Sequence, residues 1–112
     1  MPRHDDSLPL LHMLAHAREA VAMIAGKGPD SLKKERMLEL SLIKLVENIG
    51  EAAARVSQEG QKKYAKIPWR EVIGMRNRLV HGYDSVDLAV LWDTIELDLP
   101  PLISQLEQIL PS

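Results

Sequence analysis

The segment Gly74-Met75-Arg76-Asn77-Arg78-Leu79-Val80-His81-Gly82-Tyr83-Asp84 concentrates groups that can do chemistry. A His can take a proton from a ribose 2′-hydroxyl or return one to a leaving oxygen, because it titrates near neutrality. An Arg can hold a phosphate by paired hydrogen bonds and stabilise the charge that builds up in the transition state. Asn77 can orient the His81 ring or the phosphate. Arg76, Asn77 and His81 therefore form a set able to cleave an RNA phosphodiester without a metal ion. A plainer reading exists beside it. A cationic His favours the C-terminal end of a helix dipole, so His81 can be a cap. Arg76 and Arg78 can be solvated charges paired with Glu71 or with acidic residues further on.

The element that must present these groups is a short helix. Pro68 opens it, Trp69 to about Val80 forms it, and Gly82 ends it by tolerating the left-handed cap geometry. On such a helix Asn77 and Arg78 neighbour His81, at spacings of four and three. Arg76 and His81 are five apart, about 140° of rotation. They share a face only if the helix loosens near Gly82, or they line one cleft that a second subunit closes. Tyr83 falls just past the helix end and is expected at the surface.

The remaining sequence also reads as helical. Strand signals are weak: β-branched clusters are few, and there is no Asn-Gly or Asp-Gly hairpin turn and no Phe. Asp5, Asp6 and Ser7 are N-cap candidates, with Pro9 in the first turn. Leu10, Leu11, Leu14, Ala17, Val21 and Ile24 then recur at helical spacing up to Gly26-Lys27-Gly28-Pro29. A second helix is predicted from Asp30 or Ser31 to about Ser57. Its apolar stripe is Leu38, Leu42, Leu45, Val46, Ile49, Ala53 and Val56. Glu35, Glu39, Lys44, Glu47 and Arg55 decorate its other side. Residues 58–68 read as a polar loop. A fourth helix is capped by Asp84 or Ser85, and Pro100-Pro101 kinks or splits it. Leu102, Ile103, Leu106, Ile109 and Leu110 carry the period to the end. The expected fold is all-α, an up-and-down bundle of four or five helices forming one domain over residues 1–112. The first helix is apolar on more than one side, which a bundle this small cannot bury alone, so a homodimer is expected.

Composition bounds the rest. The chain has 112 residues and no Cys, which excludes disulfides, thiolate zinc sites and a cysteine nucleophile. Its longest apolar run, Ala20 to Ala25, is far short of the ~20 residues that cross a bilayer. The start, Met-Pro-Arg-His-Asp-Asp, lacks the order of a signal peptide, so a cytoplasmic location is expected, with no membrane partner. The net charge of −2 hides a split. Residues 1–78 carry all 14 basic side chains against 10 acidic ones, and residues 79–112 carry 6 acidic and no basic ones. The two segments either pair with each other, or the basic part frames an anionic substrate while the acidic helix turns elsewhere.

Other candidate sites are weaker. His12, His16 and Glu19 share a helix face, but the HExxH pattern and a fourth ligand are missing, so no metal site is expected. Glu51, in the small apolar stretch Gly50 to Ala54, either faces the site and orients Arg76 or Arg78, or is solvated. Lys62, Lys63, Lys66 and Arg70 are either a phosphate-contacting patch or a solvated loop. Gly26-Lys27-Gly28 is too short to cradle a phosphate.

Arg76-Asn77-x-x-x-His81 resembles the Rx4–6H motif of HEPN-superfamily ribonucleases. The longer string Ile67 to Tyr83, with Ile49-Gly50-Glu51-Ala52-Ala53 before it and Leu91-Trp92-Asp93-Thr94-Ile95 after it, resembles the HepT toxin family over nearly the whole chain. That resemblance implies a dimeric HEPN helical bundle acting as a metal-independent endoribonuclease toxin of a type VII toxin–antitoxin system. It implies RNA as substrate, no cofactor, and an MntA-like nucleotidyltransferase antitoxin that transfers AMP to a tyrosine. It maps Arg76 and His81 onto the catalytic pair, Asn77 onto the polar neighbour and Tyr83 onto the AMPylated tyrosine. Arg78 and Glu51 stand outside the motif, as possible substrate-contacting or supporting residues. The alternative is a non-catalytic HEPN module that binds nucleotides or a nucleotidyltransferase partner.

Overall fold

A computed structural model describes residues 5–80 and 85–111. His81, Gly82, Tyr83 and Asp84 lie outside the described residues. The described chain is all-helical, as the periodicity predicts, and its only β-type pairing is an isolated bridge between Val80 and Val86.

Helix α1 spans Ser7–Met23 and buries Leu10, Met13, Leu14, Ala17 and Ala20. Asp5 takes the Ser7 amide at 2.8 Å. Asp6, an expected cap, instead reaches across the chain and accepts from the backbone N–H and hydroxyl of Ser57 at 2.9 and 2.7 Å. The helix ends in a turn through Gly26, whose φ of +75° favours a residue without Cβ.

The predicted second helix is broken. Helix α2, Ser31–Lys34, is separated from α3, Arg36–Ala54, by Glu35 in extended geometry. On one straight helix Leu32 and Leu38, six apart, would point about 120° from each other. The break lets both be buried, at 1% and 6% exposure. Beyond it the predicted stripe of α3 is buried as expected, and Val56 is buried just past its end.

Residues 58–68 are not wholly loop. Ser57 caps helix α4, Gln58–Lys63, accepting from Gly60 N–H at 3.0 Å. The segment lacks an apolar period, and what orders it is the distant Asp6. The third helix is also split, into α5, Trp69–Ile73, and α6, Met75–Leu79, at Gly74. Val80 is already extended, so the helix ends before Gly82. Asp87 N–H donates to Leu79 O at 2.8 Å. With the Val80–Val86 bridge, this brings the two ends flanking residues 81–84 together.

Helix α7, Leu88–Asp93, is capped by Asp87, which accepts from Val90 N–H at 3.1 Å, a later start than the expected one at residue 84 or 85. A π-helical turn, Thr94–Asp98, leads into α8, Leu99–Ile109. Pro100 and Pro101 remove two successive N–H donors, and the wider turn just before them spares an abrupt kink. Thus they neither break nor end the helical path.

Helices α1 and α3 pack side by side, and α8 packs on α1. Trp69 and Trp92 are buried, and their indole N–H groups donate to Tyr64 O and Glu96 Oε2. Leu11, expected on the apolar period of the first helix, is instead exposed, because it lies about 100° round the helix from buried Leu10. Leu8 of α1 and Met37 and Leu40 of α3 are exposed too. The acidic C-terminal part does not turn away from the basic part. Asp98 lies 4.0 Å from Arg78, and Glu107 pairs with Arg18 at 2.6 Å. Among the described residues no helix is long and apolar enough to cross a membrane.

Candidate functional site

Helix α3 supplies one wall of the site, because Gly50 lets another backbone approach it. A Cβ at Gly50 would lie 3.1 Å from Ile73 O and 3.4 Å from Val72 O. With only hydrogen there, the α5–α6 junction rests directly on α3. The break at Gly74 then re-aims α6, so Arg76 and Asn77 come over the outward face of α3.

These contacts enclose an open groove of about 430 Å³, lined by Glu47, Gly50, Glu51, Ala54, Ile73, Arg76 and Asn77. Arg76 donates from Nε to Glu47 Oε2 at 3.1 Å. The other oxygen of Glu47 lies 3.3 Å from Lys44 Nζ. Among the described residues the terminal nitrogens of Arg76 make no hydrogen bond. Its side chain is 52% exposed. A half-exposed guanidinium held by Nε keeps its forked end free for an anion, the geometry that suits paired bonding to phosphate.

The expected residues separate into two groups. Arg76, Asn77 and Glu51 share the groove. Arg78 does not. It points to the far side of α6, as two helical steps of about 200° require. There Nη2 makes a marginal 3.5 Å contact to Glu71 O and lies 4.0 Å from Asp98. It lines a separate cavity of about 390 Å³ with Lys66, Met75 and Leu97. His81 and Tyr83 lie outside the described residues. Asn77 and Arg78 lie on α6, which ends at Leu79 with Val80 extended, so the regular helix that the spacing argument assumed stops there.

Sequence reasoning missed Glu47. It selected Glu51, which makes no hydrogen bond or ion pair with Arg76, while Glu47 one turn earlier does. The signal was present, since Glu47 and Glu51 are four apart and therefore share a face.

The family model described as "Ribonuclease HepT-like" matches residues 13–109. The chain belongs to that family. This HepT-like chain is 32% identical over 101 residues, 90% of both chains, to "Putative RNase TTE0752" of Caldanaerobacter subterraneus subsp. tengcongensis. It is 35% identical over 75 residues to "Probable ribonuclease HepT" of Thermococcus cleftensis, covering 67% of this chain and 68% of that one. It is 26% identical over 110 residues to "Putative RNase MJ0125" of Methanocaldococcus jannaschii, covering 98% and 95%. No solved structure matches the chain.

The matched span contains every groove residue. It also includes His12's neighbour on the helix face, His16, with the two rings 6.3 Å apart. Among the described residues no group of three or more His, Asp or Glu is placed to hold a metal ion.

Proposed function

We propose that this HepT-like protein is a metal-independent endoribonuclease toxin, acting in the cytoplasm as a homodimer through Arg76 and His81. The observation that carries the reading is the family match across residues 13–109, which includes the Arg76–His81 motif. The forked end of Arg76, left free beside an open groove, supports it.

In this reading Arg76 holds the scissile phosphate. One His81 takes the proton of the 2′-hydroxyl, whose oxygen attacks phosphorus. The bond to the 5′-oxygen breaks, and the second protomer's equivalent imidazolium protonates that oxygen. The products are a 2′,3′-cyclic phosphate and a 5′-hydroxyl. Asn77 orients the phosphate or the ring. The exposed Leu8, Leu11, Met37 and Leu40 supply apolar surface for the second copy.

An MntA-like nucleotidyltransferase silences the toxin by transferring AMP from ATP to the Tyr83 hydroxyl, releasing pyrophosphate. The added phosphate is an anion two residues from His81 that competes for the RNA phosphate site. The test is cleavage of RNA by the purified protein in EDTA, followed by intact mass after incubation with a cognate nucleotidyltransferase and ATP. Cleavage lost in His81→Ala, and an AMP adduct lost in Tyr83→Phe, are expected. Cleavage that persists in His81→Ala overturns the catalytic assignment.

A further inference from the structure

We propose that Glu47 is the positioning residue for Arg76. It grips the guanidinium by Nε so that both terminal nitrogens face the groove. The inference rests on the ribonuclease reading above.

An arginine has five N–H donors in a planar fork. Its long side chain is rotationally free, so a phosphate must freeze it before it can be bound by two parallel bonds. In this protein Glu47 freezes it in advance. The contact uses Nε, the donor that a phosphate binding the forked end does not need, at 3.1 Å. Glu47 is itself held. It sits on α3, its side chain is 29% exposed, and Lys44 lies 3.3 Å from its other oxygen. Lys44 also offsets the carboxylate charge, so the groove does not gain an anion that repels RNA. Glu51, on the same face, lines the groove without a hydrogen bond or ion pair to Arg76, and is the natural comparator. Small misplacements of a charge-stabilising group cost large factors in rate, on the order of 10²-fold for 1 Å.

The experiment measures kcat and KM for RNA cleavage in the full chain carrying Glu47→Ala, Glu47→Gln or Glu51→Ala. Each change is made in the wild-type and the Arg76→Lys background. Glu47→Ala is expected to lower kcat by roughly 10- to 100-fold with little change in KM, as loss of preorganisation predicts. Glu47→Gln, whose side-chain oxygen still accepts from Nε, is expected to recover part of that loss. In the Arg76→Lys background, where no Nε remains, removing Glu47 should add little. The Arg76 Nε–H resonance should exchange faster with water in Glu47→Ala than in wild type, whether or not RNA is cleaved. A Glu47→Ala loss that is the same in both backgrounds, or unaltered Nε–H exchange, overturns the assignment. Full activity of Glu47→Ala does so too, and leaves the ribonuclease reading standing. A wild-type protein that cleaves no RNA while Nε–H exchange still responds overturns the ribonuclease reading, and the catalytic role of the grip with it.

Discussion

Gly50 on α3 and Ile73 at the end of α5 meet backbone to backbone, closer than a Cβ at Gly50 would sit without a shift of a few tenths of an ångström. A methyl group there would sit 3.1 Å from the Ile73 carbonyl oxygen. Neither a helix backbone nor a carbonyl yields cheaply. This contact sets the distance between Glu47 and Arg76, which are 29 residues apart in the chain.

Gly50→Ala therefore sets two effects against each other. Alanine favours a helix interior by about 1 kcal/mol over glycine. Overpacking a close contact costs about 1–3 kcal/mol. The expected outcome is a less stable protein, read as a lower urea midpoint. RNA cleavage should fall further than stability, because the groove itself is wedged open.

Arg76 and Arg78 should differ sharply. Arg76→Ala removes the free fork at the groove and is expected to reduce cleavage by about 10²-fold or more. Arg78→Ala breaks only exposed contacts to Glu71 and Asp98, of a kind worth about 0–1 kcal/mol. Its cleavage rate should stay within a few-fold of wild type. Equal losses in the two variants would show that the groove and the far cavity act as one RNA site.

Ser57→Ala probes stability without touching the groove. It removes the acceptor for Gly60 N–H and the hydroxyl that donates to Asp6. Losing an N-cap of this kind costs about 1–2 kcal/mol. The expected result is a lower melting temperature with an unchanged rate of cleavage per folded molecule.

Leu11→Glu and Met37→Glu test the dimer. Both positions are exposed in the single chain, at 48% and 83%. Substitutions at such sites leave a monomer's stability within about 0.5 kcal/mol. If a second copy covers them, sedimentation should show the wild type as a dimer and the variants as monomers, with cleavage lost alongside. Variants that remain dimeric would place the interface elsewhere.

The α3 stripe and the all-helical class were legible from spacing alone. Their cause is local: apolar residues at steps of three and four must share one face of any helix. Breaks were legible only in part. Gly26 marks itself by residue type, whereas the diproline, read as a kink or a split, lies inside the continuous α8. Glu35 and the early end at Val80 do not mark themselves, because they answer to burial and pairing: of Leu32 with Leu38 on either side of Glu35, and of Leu79 and Val80 with Asp87 and Val86. Helix α4 was missed for the same reason, its start being held by Asp6 from the other end of the sequence.

The site divides in the same way. By itself the sequence determined which chemistry is available: a cation for phosphate, an imidazole for proton transfer and a tyrosine nearby, in an order resembling one family. Only the tertiary structure decided which arginine faces the groove and which carboxylate meets it. Helical rotation sends Arg76 and Arg78 to opposite sides, but which side becomes a groove depends on the close approach of α5 and α6 to Gly50. Glu47 was chosen over Glu51 by that packing distance and angle, which no spacing along a single chain encodes.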